Sequence, residues 1–175
     1  MENLHVSDNK RYLMKGSETF FWLADTGWLI FGNISEEEAY NYLKNRADKG
    51  FNVIQAVLVY STKELESVNK MYWGGADRIN DEEYWQHVER IIKMADKLGL
   101  YMALLPSWGS LLKNNLITSE NVLVYGRFLA ERLEKYSNII WVLGGDIKAD
   151  NYVEIYRKLG RYFKEKMPDK LITFH

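Results

Sequence analysis

The chain contains no cysteine, which excludes disulfides and thiolate-bound metal sites. It has no apolar stretch long enough to span a bilayer. The opening MENLHVSDNKRY lacks the apolar run of a signal peptide, so a soluble, cytoplasmic protein is expected. Neither sign of charge is in excess, the formal net charge being −1. That balance gives no electrostatic reason to expect nucleic acid or an anionic membrane as a partner. No low-complexity linker interrupts the sequence, so residues 1–175 read as one domain. No HExxH run and no Ser–His–Asp grouping is evident, and His5 and His87 lack ligand spacing. Neither a metal nor a cofactor is expected.

What the sequence does have is apolar and aromatic bulk. Its 175 residues are 47% hydrophobic and 14% aromatic, enough for a sizeable core. Residues 4–6 and 11–14 read as a hairpin around Asp8-Asn9. Beyond it, apolar runs alternate with helical patterns. Strands are expected over residues 20–26, 52–60, 101–108, 139–146 and 171–175. The first helix starts at Ser35, where Glu38 stands at the spacing of a capping box, and Gly50 ends it. A second helix runs from near Asn80 to Gly99, a third from Ser119 as cap to about Tyr136, and a fourth over about 152–167. This alternation predicts a parallel α/β sheet.

The joints are asymmetric. Helix-to-strand connections are short and alike, as in Lys49-Gly50-Phe51-Asn52 and Leu98-Gly99-Leu100-Tyr101. Strand-to-helix connections are longer and carry Trp, Gly and polar residues. Function is therefore expected at the carboxyl ends of the strands. An open, doubly wound sheet would carry a Gly-rich phosphate loop after its first strand, but that position reads ADTGWLIFGN, with no GxGxxG. Gln55, mid-strand, either faces a barrel lumen or is tied to a buried backbone group. The expected fold is an incomplete (β/α) barrel of TIM type, with five parallel strands behind an N-terminal hairpin. A closed barrel needs eight strands and about 250 residues.

Several residues could carry chemistry. Asp146 ends the fourth strand after two glycines, which leave room for a ligand and for unusual backbone angles. It is either a catalytic carboxylate or the cap of the next turn. Asp25 ends the first strand, and alternation groups it with Phe21 and Leu23 towards the interior. It would contact substrate, orient Asp146 or cap its own loop. Trp108 and the pair Tyr72-Trp73 lie at strand ends and loops, where aromatic rings either stack on sugar faces or cover the core. His175 ends the fifth strand, where it either faces the same mouth or frays.

The segments FFWLADTGW, RADKGFNVIQAVLV, YWQHVERIIKMADKLGLYMALLPSWG, YGRFLAERLEKYSNIIWVLGGD and LITFH together resemble the apiosidase-like glycoside hydrolases. These are similar to cellulase-type barrels that act on plant cell-wall polysaccharides, the named activity being removal of pectin side-chain units at apiose. The resemblance implies an oligosaccharide substrate and a pair of carboxylates. It places the GGD aspartate, the acid/base, on Asp146. It places pocket-lining positions on Asp25, Trp28, Gln55, Trp108 and His175, and Trp73 joins these as a loop aromatic. The second carboxylate is similar in role to a Glu on a late barrel strand, past residue 175. Ending at a fifth strand leaves two sheet edges open, so a homo-oligomer that covers them is a further expectation.

Overall fold

The computed structural model describes residues 1–32, 34–59 and 82–175. It opens with a three-stranded antiparallel sheet of β1 (Leu4–Val6), β2 (Leu13–Lys15) and β3 (Glu18–Phe20). The expected hairpin thus gains a third strand, taken from the start of the run assigned to the first parallel strand. Phe20 pairs with Leu13 and sets its ring edge-on to Tyr101 at 5.4 Å. Phe21 then points away, 77% exposed. Asn52 bridges the break: its amide donates to the Phe21 carbonyl at 2.6 Å and accepts the Leu23 N–H at 2.9 Å. One apolar run is therefore split between two sheets.

The main sheet holds β4 (Ala24–Thr26), β5 (Val53–Val57), β6 (Tyr101–Leu105), β7 (Ile139–Leu143) and β8 (Ile172–Phe174). All pairings are parallel, and the strands lie in chain order. Around them run α1 (Glu36–Asp48), α2 (described from Glu82 to Lys97), α3 (Gly109–Lys113), α4 (Val122–Leu133) and α5 (Val153–Lys166). An order that never reverses, with the right-handed crossovers that parallel strands take, puts the helices of the described residues on one side of the sheet. That is the winding of a barrel. A doubly wound sheet would reverse its order.

Packing agrees. Ile54, Ala56, Met102, Leu104 and Trp141 face the helices and cluster with Leu43, Trp85, Ile91, Leu129 and Phe163. The alternate residues Val53, Val57, Ala103, Leu105, Ile140 and Val142 form a second cluster that, among the described residues, no helix enters. This second face is the lumen side. Strands buried on both faces read as continuous apolar runs, which is how the sequence presents them.

The N-terminal sheet sits at the amino ends of these strands. Leu4 is buried in the lumen cluster, and the Tyr101 hydroxyl donates to the Glu2 carbonyl at 2.6 Å. The terminal ammonium reaches Asp96 at 3.2 Å and Ser137 at 3.0 Å. Buried Lys170 donates to Asn3 and to the Tyr136 carbonyl. The opposite, carboxyl end is left for a site.

Local signals fare unevenly. Ser35 and Glu38 form the expected capping box at the start of α1. At α4 the cap position belongs to Asn121, while the Ser119 hydroxyl donates to Glu120 instead. Asn121 accepts the Thr118 N–H at 2.8 Å, which closes the turn ahead of the helix and moves its start two residues along. The short helix α3, straight after Trp108, has no counterpart among the expected elements.

Candidate active site at the carboxyl ends of the strands

Beyond β7 the chain turns through Gly144, Gly145 and Asp146, with φ of +107°, +135° and +51°. L residues rarely adopt such angles, and Asp is among the few that enter the left-handed region. Space imposes the same choice. A Cβ on Gly144 would lie 2.6 Å from the His175 carbonyl, and one on Gly145 would lie 2.8 Å from the Gly109 nitrogen. The turn is pinned from both sides: Leu143 accepts the His175 N–H at 2.7 Å, and Gly145 accepts the Gly109 N–H at 3.1 Å. The end of β8 and the start of α3 therefore fix where Asp146 stands.

Asp146 is exposed, and its Oδ1 lies 3.5 Å from His175 Nδ1. The His175 ring stands 5.5 Å from Trp28 and 6.1 Å from Trp108, and the two indoles are 5.3 Å apart. Four residues following four different strands thus gather at one rim. Gln55 lies below them on the lumen side, half-buried, in register with Thr26 and Ala103. Its carbonyl accepts the Gly27 N–H at 2.9 Å, one residue before Trp28. A carboxylate on a rigid turn beside two half-buried indoles and an imidazole can exchange a proton with a bound hydroxyl or glycosidic oxygen.

Asp25 stands elsewhere. It pairs in register with Ile54, on the helix-facing side, so it does not share the lumen with Gln55. The interior expected for Phe21, Leu23 and Asp25 is not where they lie: Phe21 and Leu23 are exposed, and Asp25 turns to α1. The alternation itself holds: Phe20, Trp22 and Ala24 take the lumen side, which leaves Phe21, Leu23 and Asp25 together on the opposite face. The Asp25 carboxylate accepts from Arg46 Nη1 at 2.9 Å, the Tyr42 hydroxyl at 3.1 Å and the Thr26 N–H at 2.8 Å. Burial pushes this carboxyl up, but the Thr26 N–H, Tyr42 and Arg46 outweigh it and hold the carboxyl below its ordinary range. Trp73, with Tyr72, lies outside the described residues.

Sequence reasoning did not single out Tyr42, Arg46 or Gly109 for these roles. Tyr42 and Arg46 are four apart on α1, the spacing that puts two side chains on one face, and that was the available signal. Gly109 had none, because its role is to let the Gly145 carbonyl approach to a distance only the fold defines. A larger hollow of about 790 Å³ lies at the amino end, lined by Leu4, His5, Lys170 and Ile172. It is an open trough beside an edge strand, opposite the carboxylate and aromatics, and the site is assigned by chemistry rather than by size.

A singly wound parallel sheet with a carboxylate and aromatics at its carboxyl rim defines a barrel of the glycoside hydrolase type. A glycoside hydrolase family 5 crystal structure from Bacteroides vulgatus is 32% identical over 99% of this chain, with a TM-score of 0.87 and 39% of that chain covered. A second solved structure, described as a glycoside hydrolase, is 33% identical over 99% of this chain, with a TM-score of 0.87 and 41% of its own length covered. The family model for the apiosidase-like catalytic domain matches residues 7–175, and the chain belongs to that family. An endo-1,4-beta-mannanase from Rhizomucor miehei shares the fold alone, at 10% identity and a TM-score of 0.69 over 98% of this chain and 60% of that one. No curated protein matches the chain. The chain spans about two fifths of the length of the first two relatives.

Proposed function

We propose that this chain carries the acid/base half of a glycoside hydrolase site acting on plant cell-wall oligosaccharides of pectin type. The observation that carries the reading is the convergence of Asp146, His175, Trp28 and Trp108 at one rim. Asp146 donates a proton to the glycosidic oxygen and later takes one from water. Trp28 and Trp108 stack on the C–H faces of the sugar, and His175 and Gln55 bond its hydroxyls. Asp25 acts at one remove: it holds the Thr26 N–H and so sets the turn that presents Trp28. A second carboxylate, the nucleophile of a retaining enzyme or the water-activating base of an inverting one, comes from outside residues 1–175.

Residues 1–175 alone should therefore bind oligosaccharide without turning it over. In an assembly that supplies the second carboxylate, Asp146→Asn should slow hydrolysis of pectin-derived oligosaccharides by roughly 10² to 10⁴. Equal rates for the two proteins would take Asp146 out of the mechanism.

A second reading is a non-catalytic carbohydrate-binding half-barrel that associates with another chain, a copy of itself included. It is favoured by apolar troughs beside both outermost strands. One, of about 370 Å³, is lined by Leu143, Val153, Tyr156, Gly160 and Phe174. The other, of about 380 Å³, is lined by Trp28, Ile30, Ile34 and Tyr42. This reading gives binding but no hydrolysis in any assembly. A chain that stays monomeric in light scattering at high concentration would remove self-association.

A further inference from the structure

Taking Asp146 as the acid/base, we propose that His175 is its positioning residue: the imidazole Nδ1–H donates to the Asp146 carboxylate and fixes the direction in which it faces. Nδ1 stands 3.5 Å from Oδ1, a contact between the residues that follow β7 and β8. The imidazole is itself held in place. Trp28 and Trp108 together pack against one side of the ring at 5.5 and 6.1 Å, and the His175 backbone N–H is bonded to Leu143 at 2.7 Å. Asp146 is the partner that needs holding. It is exposed, its φ is +51°, and the two residues before it are glycines with no side chain to confine it.

The contact has a chemical consequence. A neutral imidazole carries one donor and one acceptor nitrogen, and which is which follows from the hydrogen bond it makes. With Nδ1 committed as donor to Asp146, Nε2 carries the lone pair and offers an acceptor to a sugar hydroxyl. In water a neutral histidine prefers the opposite tautomer, with the proton on Nε2. A histidine that merely packs against two indoles has no reason to depart from that preference, so the tautomer separates positioning from packing.

The test is a long-range 1H–15N correlation spectrum of the 15N-histidine-labelled chain at about pH 8.5. His5 and His87 serve as internal references in the same spectrum. His175 is expected as the Nδ1–H tautomer in the wild type. In Asp146→Gly, which accepts the positive φ without strain, it should revert to mainly Nε2–H while His5 and His87 stay unchanged. An Nε2–H tautomer in the wild type, or Nδ1–H persisting in Asp146→Gly, would overturn the proposal. The spectrum reports the contact and the hydrolysis assay reports catalysis, so failure of one is distinguishable from failure of the other.

Discussion

Asp25 and Asp146 both sit at strand ends, and their surroundings assign them different work. Asp25 has three donors aimed at its carboxylate from α1 and its own turn, and Asp146 has an imidazole and a mouth. Asp25→Asn should lower stability by about 1 kcal/mol, the scale of a partly exposed charged hydrogen-bonded pair. The sign with pH follows from the depressed carboxyl. Its contribution is fully present above the unfolded carboxyl range, near about pH 4, and is lost as pH falls through the folded value. Denaturant unfolding should show the wild type losing stability more steeply than Asp25→Asn between about pH 5 and pH 2; parallel curves would show that the latch carries no stability. At this scale the placement of Asp146, Trp108 and His175 at strand ends was legible because each ends an apolar run. Asp25's face was not, because alternation groups it with Phe21 and Leu23 but does not say which of the two faces looks into the lumen, and Phe20, Trp22 and Ala24 take that side.

At the level of elements, the turn after β7 ties β7, β8 and α3 together. Gly145 faces the start of α3, Gly144 faces the end of β8, and Asp146 follows both. Gly145→Ala would put a methyl carbon 2.8 Å from the Gly109 nitrogen at a φ of +135°. The expected cost is about 1–3 kcal/mol in denaturant unfolding, with the Trp28–Trp108 environment altered in near-UV circular dichroism. A variant as stable as the wild type would mean that the turn relaxes and does not hold Asp146. Strands and long helices were legible from apolar runs and from Gly50 and Gly99, which end α1 and α2 with φ of +85° and +76°. The start of α4 was not. Ser119 and Asn121 are both good caps, and the choice depends on Asn121 reaching the Thr118 N–H and the Leu116 carbonyl.

For the whole molecule, sequential strand order decides more than any one residue does. It places every helix outside, leaves Val53, Val57, Ala103 and Ile140 facing a lumen, and sends Asp146, Trp28, Trp108 and His175 to the rim opposite the N-terminal sheet. The missing phosphate loop foretold the winding, whereas the third N-terminal strand depended on the Phe20–Tyr101 contact between residues far apart in sequence. The account's central claim is that this rim binds sugar, and it is tested most directly by titrating the 15N-labelled chain with pectin-derived oligosaccharides and following its amide and indole signals. The account predicts shifts at Trp28, Trp108, Asp146 and His175, with affinity at least about tenfold weaker in Trp108→Ala, a loss of about 1.4 kcal/mol or more. Shifts confined to Leu4, His5 and Lys170 at the amino end, or affinity unchanged in Trp108→Ala, would contradict it.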